Sequence, residues 1–405
     1  MINIHIAVST ATILLNKVDK MMTTNEKALL LHEQWNGKLE TTSKCKVSSR
    51  EDLALAYTPG VAEPCKVIAE KPETVYKYTS KANTVAVVSD GSAVLGLGNI
   101  GPLAAMPVME GKAVLFKEFG NVNAVPICLD TQDTEEIIKT VVNIAPAFGG
   151  INLEDISAPR CFEIESRLKE LLDIPVFHDD QHGTAIVVLA GIINALKVTG
   201  KKKEECKVVV NGAGSAGIAI SKLLLTYGFK HLTLCDRVGI LNQKTEGMNW
   251  MQQEMTKVTN LEQKEGSLAD ALVGADIFVG VSAPNIVSKE MVASMNKDSI
   301  LFAMANPVPE IMPNLAKEAG AKVIGTGRSD FPNQVNNVIA FPGIFKGALE
   351  GRATQITEEM KLAAANALAN LVDESQLNED FILPEAFDPR VCKVVSEAVK
   401  ANIKR

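Results

Sequence analysis

The second half of the chain alternates short apolar segments with helix-like segments, and this alternation constrains the fold more than any other feature. The apolar segments read KVVVN, HLTLC, DIFVG, SILFAMA and KVIGT, with helical patterns between them. Strands that alternate with helices form right-handed βαβ units, because a crossover helix joins two parallel strands of one sheet. The sequence therefore predicts an α/β fold, and residues 183–405 are expected to form a domain with a mostly parallel sheet and closing C-terminal helices.

A glycine-rich turn, GAGSAG, follows the first of these strands and opens the helical run IAISKLLLTYG. Gly212 permits a tight turn, Gly214 lets the backbone approach a pyrophosphate, and Gly217 lets the helix pack closely on the strand. The free N–H groups at the start of the helix, at Ser215 and Ala216, favour an anion. A glycine pattern between a strand and a helix, with an acid ending the next strand, predicts a Rossmann-like dinucleotide-binding domain.

The acid that ends the next strand bears on which dinucleotide binds. It is Asp236, in the sequence LCDR. A carboxylate at this place can accept hydrogen bonds from a ribose diol and repel the 2′-phosphate of NADP. Arg237 stands beside it, and an arginine can accommodate that phosphate. The pair predicts a preference for NAD, with NADP also possible.

Two acidic pairs end short apolar segments in the first half of the chain. They are Glu154-Asp155 in INLEDIS and Asp179-Asp180 in FHDDQHG. If the segments are neighbouring strands, the carboxylates converge and suit a hard cation such as Mg²⁺ or Mn²⁺. Spacing alone equally allows Asp179 or Asp180 to cap a helix that begins at Gly183, with the other pair in a solvated turn.

Several motifs in the chain resemble those of the malic enzymes. They occur in the family's order, from about residue 25 to the C-terminal helices. The motifs are YTPGVA (Tyr57–Ala62), VSDG (Val88–Gly91), LGLGNIG (Leu95–Gly101), PVMEGK (Pro107–Lys112), NLED (Asn152–Asp155), HDDQHGT (His178–Thr184), ANP (Ala305–Pro307), NNV (Asn336–Val338) and FPG (Phe341–Gly343). The length resembles that of the small bacterial members, which lack an appended acyltransferase-like domain. The resemblance implies an N-terminal mixed α/β malic-type domain at residues 25–182, ahead of the dinucleotide-binding domain.

The same resemblance implies a metal site. Glu154, Asp155 and Asp180 match the family's ligands for a divalent cation, Mg²⁺ or Mn²⁺. Asp179 would then lie behind the ligands or cap the following helix.

The resemblance also implies catalytic and substrate-binding residues. Lys112 matches the family's general base and Tyr57 its general acid, although taken alone they suggest a surface lysine and a core aromatic. Asn306 and Asn337 match residues that contact the substrate and the nicotinamide end of the cofactor. The larger malic enzymes carry an arginine where this chain has Ala93, so that contact with a substrate carboxylate is missing.

The implied reaction is the oxidative decarboxylation of (S)-malate to pyruvate and CO₂, with hydride transfer to NAD(P). This chemistry needs a base for the hydroxyl proton, a cation to stabilise the enolate, and an acid to protonate carbon. Two alternatives keep the same scaffold, namely a metal-dependent oxaloacetate decarboxylase and a malolactic-type enzyme. A catalytically silent dinucleotide-binding regulator would need none of these groups.

Composition narrows the possible partners. The formal net charge is −7 and no basic block occurs, which argues against nucleic acid. Seven scattered cysteines without a Cys-x-x-Cys pair are typical of a reduced cytoplasm. No apolar stretch approaches the roughly 20 residues that span a bilayer, so no membrane is expected. A malate- or pyruvate-type small molecule and a homodimer or higher homo-oligomer are the expected partners, and residues 1–24 are expected to be a disordered or dispensable extension.

Overall fold

The computed structural model describes residues 22–94 and 96–404 of the chain. Most of the expected extension, residues 1–21, lies outside the described residues. The described residues form two β-sheets with helices packed around them. The predicted α/β fold class is therefore confirmed.

The first sheet belongs to the N-terminal half of the chain and has four parallel strands in the order β2-β1-β3-β4. The strands are β1 (Thr84–Ser89), β2 (Asn123–Cys128), β3 (Gly150–Leu153) and β4 (Val176–His178). The helices before β4 are α1 (Thr24–Trp35), α2 (Arg50–Ala56), α3 (Ala62–Glu70), α4 (Val75–Tyr78), α5 (Gly101–Gly120), α6 (Thr134–Ile144) and α7 (Arg160–Leu171). β1 is buried along its whole length, as its continuous apolar run predicts for the middle of a parallel sheet.

The second sheet has five parallel strands and an antiparallel edge strand, in the order β10-β9-β8-β5-β6-β7. The strands are β5 (Lys207–Asn211), β6 (His231–Asp236), β7 (Gly239–Ile240), β8 (Ile277–Gly280), β9 (Ile300–Ala303) and β10 (Val323–Thr326). The helices after β4 are α8 (Asp179–Thr199), α9 (Ser215–Tyr227), α10 (Trp250–Thr256), α11 (Leu268–Leu272), α12 (Lys289–Ala293), α13 (Pro313–Glu318), α14 (Phe341–Gly351), α15 (Glu358–Leu371) and α16 (Arg390–Ala401). The strand order reverses beside β5, and ligands of open α/β sheets bind at the carboxyl ends of the strands around such a point.

Helix α8 connects the two sheets through the core. Every residue from Ala185 to Leu196 is buried, and the helix packs against α9 and α15. Asn194, the polar residue within this stretch, donates its side-chain N–H groups to the carbonyl oxygens of Ala369 and Ile382 at 2.8 and 2.9 Å. Contrary to the expectation from the sequence, α8 is long and apolar enough to cross a membrane. Its burial accounts for that composition, because a helix that is apolar all round suits the core of a large protein.

Residues 22–80, which we call the N-terminal arm, differ from the rest of the chain because none of them is buried. Helix α1 begins with a capping box at Thr23. Its apolar residues remain uncovered within the protomer, and Leu29 is 75% exposed. The arm joins the body where Lys38 donates its N–H to Glu110 of α5 at 3.0 Å and its Nζ to the carbonyl of Pro107 at 2.7 Å.

One predicted helix start was too late. Helix α8 begins at Asp179, four residues before Gly183, and its N-cap is His178 without a side-chain cap bond. The alternative in which Asp179 or Asp180 caps the helix is therefore wrong, since both lie in its first turn.

Candidate active site

The carboxyl ends of β3 and β4 bring the two acidic pairs together. Glu154 and Asp155 follow β3 directly, and Asp180 lies in the first turn of α8, just after β4. Because β3 and β4 are adjacent and parallel, these ends meet at one edge of the first sheet. Asp155 has a left-handed backbone, with φ at 54°, and its N–H donates to Asp180 Oδ2 at 2.8 Å.

Lys112 of α5 points into this edge and is buried. Its Nζ lies 2.8 Å from Glu154 Oε1 and 2.7 Å from Asp179 Oδ2, and 4.4 Å from the centre of the Phe341 ring. The buried face of α5 also contains Met109 and Phe116, at the three- and four-residue spacing of one helix face. Lys112 is thus a core lysine held by carboxylates, and the reading as a surface lysine at a helix start is wrong.

Charge at this edge is unbalanced. Burial raises the pKa of Asp179 to about 7 and that of Glu154 to about 6, although Lys112 draws both down. Burial opposes the charge on Lys112, but Asp179, Glu154 and Asp180 outweigh it and raise the pKa of the lysine. Three carboxyl groups, those of Asp179, Glu154 and Asp180, thus act on one ammonium. Removing carboxylates from water is costly unless positive charge compensates them, so this edge is suited to a cation.

The three predicted ligands offer carboxylate oxygens, which a hard divalent cation prefers; the buried His178 Nδ1 lies 3.7 Å from Asp180 Oδ2. Glu154, Asp155 and Asp180 are the residues that could hold it. Among the residues that the structure describes, no three metal-ligating side chains already surround one point. Glu154 is instead turned to Lys112 and to the side chain of Asn152, which donates to it at 2.8 Å.

Asp179 is the partner of Lys112 that sequence reasoning missed. The sequence feature that could have revealed this partner is Gly183, one helical turn after Asp179. A Cβ at Gly183 would lie 1.8 Å from Asp179 Oδ1, so only glycine leaves room for that carboxylate. The same hypothetical Cβ would lie 3.2 Å from the Cβ of Asn337. This predicted substrate residue therefore lies beside the edge that carries Glu154, Asp155, Asp179 and Asp180, which we call the acidic edge.

Asn306 follows β9 and lies where the two halves of the chain meet. A Cβ at Gly327 would lie 2.8 Å from Asn306 Nδ2, and one at Gly96 would lie 3.5 Å from the Asn306 carbonyl oxygen. The glycine loop after β1 therefore contacts the loop after β9. Of the two predicted asparagines, Asn337 is the one that packs beside Asp179.

Tyr57 is not part of this cluster within one protomer. It lies in the N-terminal arm at the end of α2, its side chain is 67% exposed, and its hydroxyl makes no hydrogen bond within residues 22–94 and 96–404. The reading of Tyr57 as a core aromatic is wrong. The site of one protomer thus contains the predicted base without the predicted acid.

The glycine turn after β5 has the geometry of a dinucleotide site. Gly212 has a φ of 109°, and a Cβ at Gly217 would lie 1.8 Å from the Gly212 carbonyl oxygen. A Cβ at Gly214 would meet nothing within 4 Å, so space remains above the turn for a ligand. Ser215 and Ala216 begin α9 here, which directs free N–H groups into that space.

Two further residues, Gln252 and Glu310, hold the segments around the dinucleotide turn in place. Gln252 donates to Asp236 Oδ2 at 2.9 Å, while the N–H of Arg237 donates to Asp236 Oδ1 at 2.8 Å. Glu310 is fully buried and accepts the N–H groups of Ser282 and of the residue before Asn306, at 2.9 and 3.0 Å. It ties the loops after β8 and β9 together. Sequence reasoning missed both, and for Glu310 the signal was Gly280, where a Cβ would lie 2.5 Å from its carboxyl carbon.

Comparisons with known proteins agree with this architecture. Residues 36–169 match the family described as malic enzyme, N-terminal domain, and residues 181–403 match malic enzyme, NAD binding domain. A bifunctional malic/malolactic enzyme of Bacillus subtilis is 60% identical over 93% of this chain and 92% of its own length. An NAD-dependent malic enzyme of Geobacillus stearothermophilus is 59% identical over 94% and 79%, and an NADP-dependent malic enzyme of Rhizobium meliloti is 48% identical over 95% and 53%. The crystal structure of an NAD-dependent malic enzyme from Thermotoga maritima superposes with a TM-score of 0.90, at 54% identity, over 92% of this chain and 98% of that one.

Proposed function

The chain belongs to the malic enzyme family, and from that premise we propose how its residues divide the reaction between them. The reaction is the oxidative decarboxylation of malate to pyruvate and CO₂, with hydride transfer to NAD(P). One observation carries the assignment of the site. Lys112 is buried between Glu154 and Asp179, at the carboxyl ends of β3 and β4.

Lys112 is the proposed general base for the C2 hydroxyl of malate. A lysine accepts a proton only in its neutral form, and the surrounding carboxylates favour the charged one. We infer that the lysine becomes a base when a divalent cation compensates those carboxylates. Asp179, which bonds to Lys112 at 2.7 Å, then holds the amine in position towards the substrate.

Glu154, Asp155 and Asp180 are the proposed ligands of Mg²⁺ or Mn²⁺. When bound, the cation supplies Lewis-acid stabilisation of negative charge on the substrate. Asn337, beside Asp179, is proposed to orient the substrate, and Asn306 to contact both the substrate and the nicotinamide end of the cofactor. Burial of this edge excludes water, which strengthens each of these polar contacts.

Tyr57 is the proposed general acid, and we infer that it acts in the site of a second copy. In its own protomer it is 67% exposed and lies in an arm without a buried residue. Leu29 and Leu55 of the arm are 75% and 72% exposed, and apolar patches of this kind mark protein interfaces. In a two-fold dimer each arm would cover the partner, so each site would receive the partner's tyrosine.

The primary test is turnover by the wild-type enzyme. Purified protein with malate, Mn²⁺ and NAD is expected to reduce the cofactor and release pyruvate and CO₂ in equal amounts. Removal of the metal with a chelator should stop turnover, and Mn²⁺ should restore it. If neither NADH forms from NAD nor NADPH from NADP, the proposed reaction is refuted.

A malolactic side reaction is the second candidate, because the Bacillus subtilis relative is named a bifunctional malic/malolactic enzyme. Lactate measured in the same assay distinguishes the two, since malic activity leaves pyruvate and NADH. We also infer a cytoplasmic location from the seven cysteines, all of which are free thiols.

The dimer is tested by complementation between two inactive variants. Tyr57→Phe and Lys112→Met are each expected to be inactive, and heterodimers of the two should carry one intact site. If the partner supplies the tyrosine, randomly mixed dimers regain roughly a quarter of wild-type activity, because half are heterodimers with one working site of two. No regain in verified heterodimers would place Tyr57 in its own protomer's site.

A further inference from the structure

The site described so far has no cation for a substrate carboxylate. Ala93 stands where the larger malic enzymes carry an arginine, and its backbone N–H donates to the Asp155 carbonyl at 2.9 Å. Malate is a dicarboxylate, and a planar guanidinium binds a carboxylate best because it donates two parallel hydrogen bonds. The arginines that contact the neighbours of Ala93 or of Asn306 are therefore the candidates for this contact.

Arg160 lies nearest in the fold to Ala93, but its guanidinium is committed to the protein. Nη1 donates to Asp90 Oδ2 at 2.9 Å and to the Gln132 carbonyl at 2.6 Å. Nη2 donates to the hydroxyls of Ser92 and Ser157 at 3.0 and 2.9 Å. The Asp90 side chain is fully buried, so releasing Arg160 would leave a buried carboxylate unpaired. Arg160 is thus a structural residue.

Arg328 has a different setting. It follows β10, so it lies at the same carboxyl edge of the second sheet as the loop after β9. Its Nη1 donates to the carbonyl of Pro307, the residue after Asn306, at 3.0 Å. Its Nε and Nη2 donate in parallel to the two oxygens of Asp330 at 2.8 and 2.7 Å.

The backbone next to Arg328 lies against the loop after β9, which carries Asn306. A Cβ at Gly327 would lie 2.8 Å from Asn306 Nδ2 and 3.2 Å from the Met304 carbonyl oxygen, so the chain approaches the Asn306 side chain closely here. Gly96, three residues after Ala93, lies against the carbonyl oxygen of the same Asn306. Arg328 and the segment after Ala93 therefore both adjoin the loop that carries Asn306.

We propose that Arg328 binds a carboxylate of the dicarboxylate substrate and takes the role that Ala93 cannot. This inference rests on the proposed function, because it presumes that malate is the substrate. The fork that now holds Asp330 can hold a substrate carboxylate in the same geometry, so the exchange preserves charge and hydrogen bonds. The Asp330 side chain is 56% exposed, which lets it return to water when the substrate displaces it.

The test is Arg328→Gln, measured against malate and dinucleotide separately. Loss of a charge-assisted hydrogen-bond pair is expected to raise the KM for malate about tenfold to a hundredfold, with the Kd for NAD unchanged. Arg328→Lys keeps the charge but loses the two parallel N–H donors, so its KM for malate should lie between those of wild type and Arg328→Gln. An unchanged KM for malate, or a loss confined to the dinucleotide, would overturn the proposal.

The matched control is Arg390→Gln. Arg390 makes the same kind of forked pair with Asp388, at the start of the closing helix α16, so its loss removes equal bonds from the surface. Its KM for malate should equal that of wild type. Failure of wild type to oxidise malate would sink the proposed function, whereas wild-type activity with an unaffected Arg328 variant would sink this inference alone.

Discussion

Two regions of the molecule differ in how complete they are within one chain. At the acidic edge, the buried Lys112 forms ion pairs with Glu154 and with Asp179. The helix that carries Asp179 and Asp180 continues into the core. The N-terminal arm contains four α-helices but no buried residue. Short helices are marginal in water without an apolar face to pack. The comparison teaches that contacts within the chain fix the acidic edge, whereas the proposed role of the arm depends on the proposed second copy.

The largest effect is expected from Lys112→Met, in the buried region. Turnover should fall about 10²–10⁴-fold, as is typical when an acid–base group is removed. Stability should fall as well, because Asp179 and Glu154 lose their cationic partner. Both are read by initial rates and by thermal melting of the same preparation.

The control for this variant is Lys81→Met. Lys81 is also buried, but it donates to the carbonyl oxygens of Ala145 and Phe148 rather than to the acidic edge. The Lys81→Met variant should have a lower melting temperature, but its folded fraction should turn over malate at the wild-type rate. Equal kinetic defects in both variants would mean that Lys112 is merely structural.

Tyr57→Phe should separate activity from stability. Turnover is expected to fall about 10²–10⁴-fold, yet the melting temperature should not move, because the hydroxyl makes no hydrogen bond among the described residues. Tyr78→Phe, at an exposed tyrosine of the same arm, is the matched control and should be silent in both measurements. A wild-type rate in the Tyr57 variant would remove it from the chemistry.

Leu55→Glu tests whether the arm is covered by a second copy. A buried leucine contributes about 1.5–3 kcal/mol, so the dissociation constant of the dimer should rise about ten- to a hundredfold. Sedimentation velocity over a dilution series measures this, and circular dichroism should show an intact fold. Leu261→Glu is the control, since Leu261 is 68% exposed but lies in the other half of the chain. Identical dissociation in both variants would contradict an interface at the arm.

The smallest effect is expected at the dinucleotide edge, where Asp236→Ser should shift the preference from NAD towards NADP. Coulomb repulsion between Asp236 and a 2′-phosphate is worth about 1–4 kcal/mol for each charge pair, so the ratio of kcat/KM values should change by about fivefold or more. Gln252 fixes the carboxylate, which sharpens the expectation. A wild-type enzyme that already prefers NADP would show that Arg237 dominates.

Much of the fold could be predicted because its signals are local. The strand KVVVN and the turn at Gly212 each depend on a few neighbouring residues. The strand order and the meeting of β3 with β4 are long-range pairings, which periodicity does not encode. The start of α8 was misplaced because two aspartates read as a cap, although acidic residues also suit a first turn.

The candidate site was predictable only where family motifs carried it. Motifs identify Lys112 and Asp180 but not the bond from Lys112 to Asp179, since 67 residues separate them along the chain. Tyr57 shows the opposite limit. Its motif suggests chemistry, but nothing in the sequence indicates that its side chain is 67% exposed.

The position of α8 has a consequence for how the gene can be divided. The first turn of this helix carries Asp179 and Asp180, and its remaining turns fill the core beneath α9 and α15. A cut between the halves at residue 183 would sever the acidic edge from the helix that holds it rigid. Two separately expressed fragments should reassemble only if the break falls in the polar loop after Gly200. Asp179 and Asp180 therefore depend on the whole of helix α8 for their position. Recombination can exchange the dinucleotide-binding part of the chain only at a point after α8.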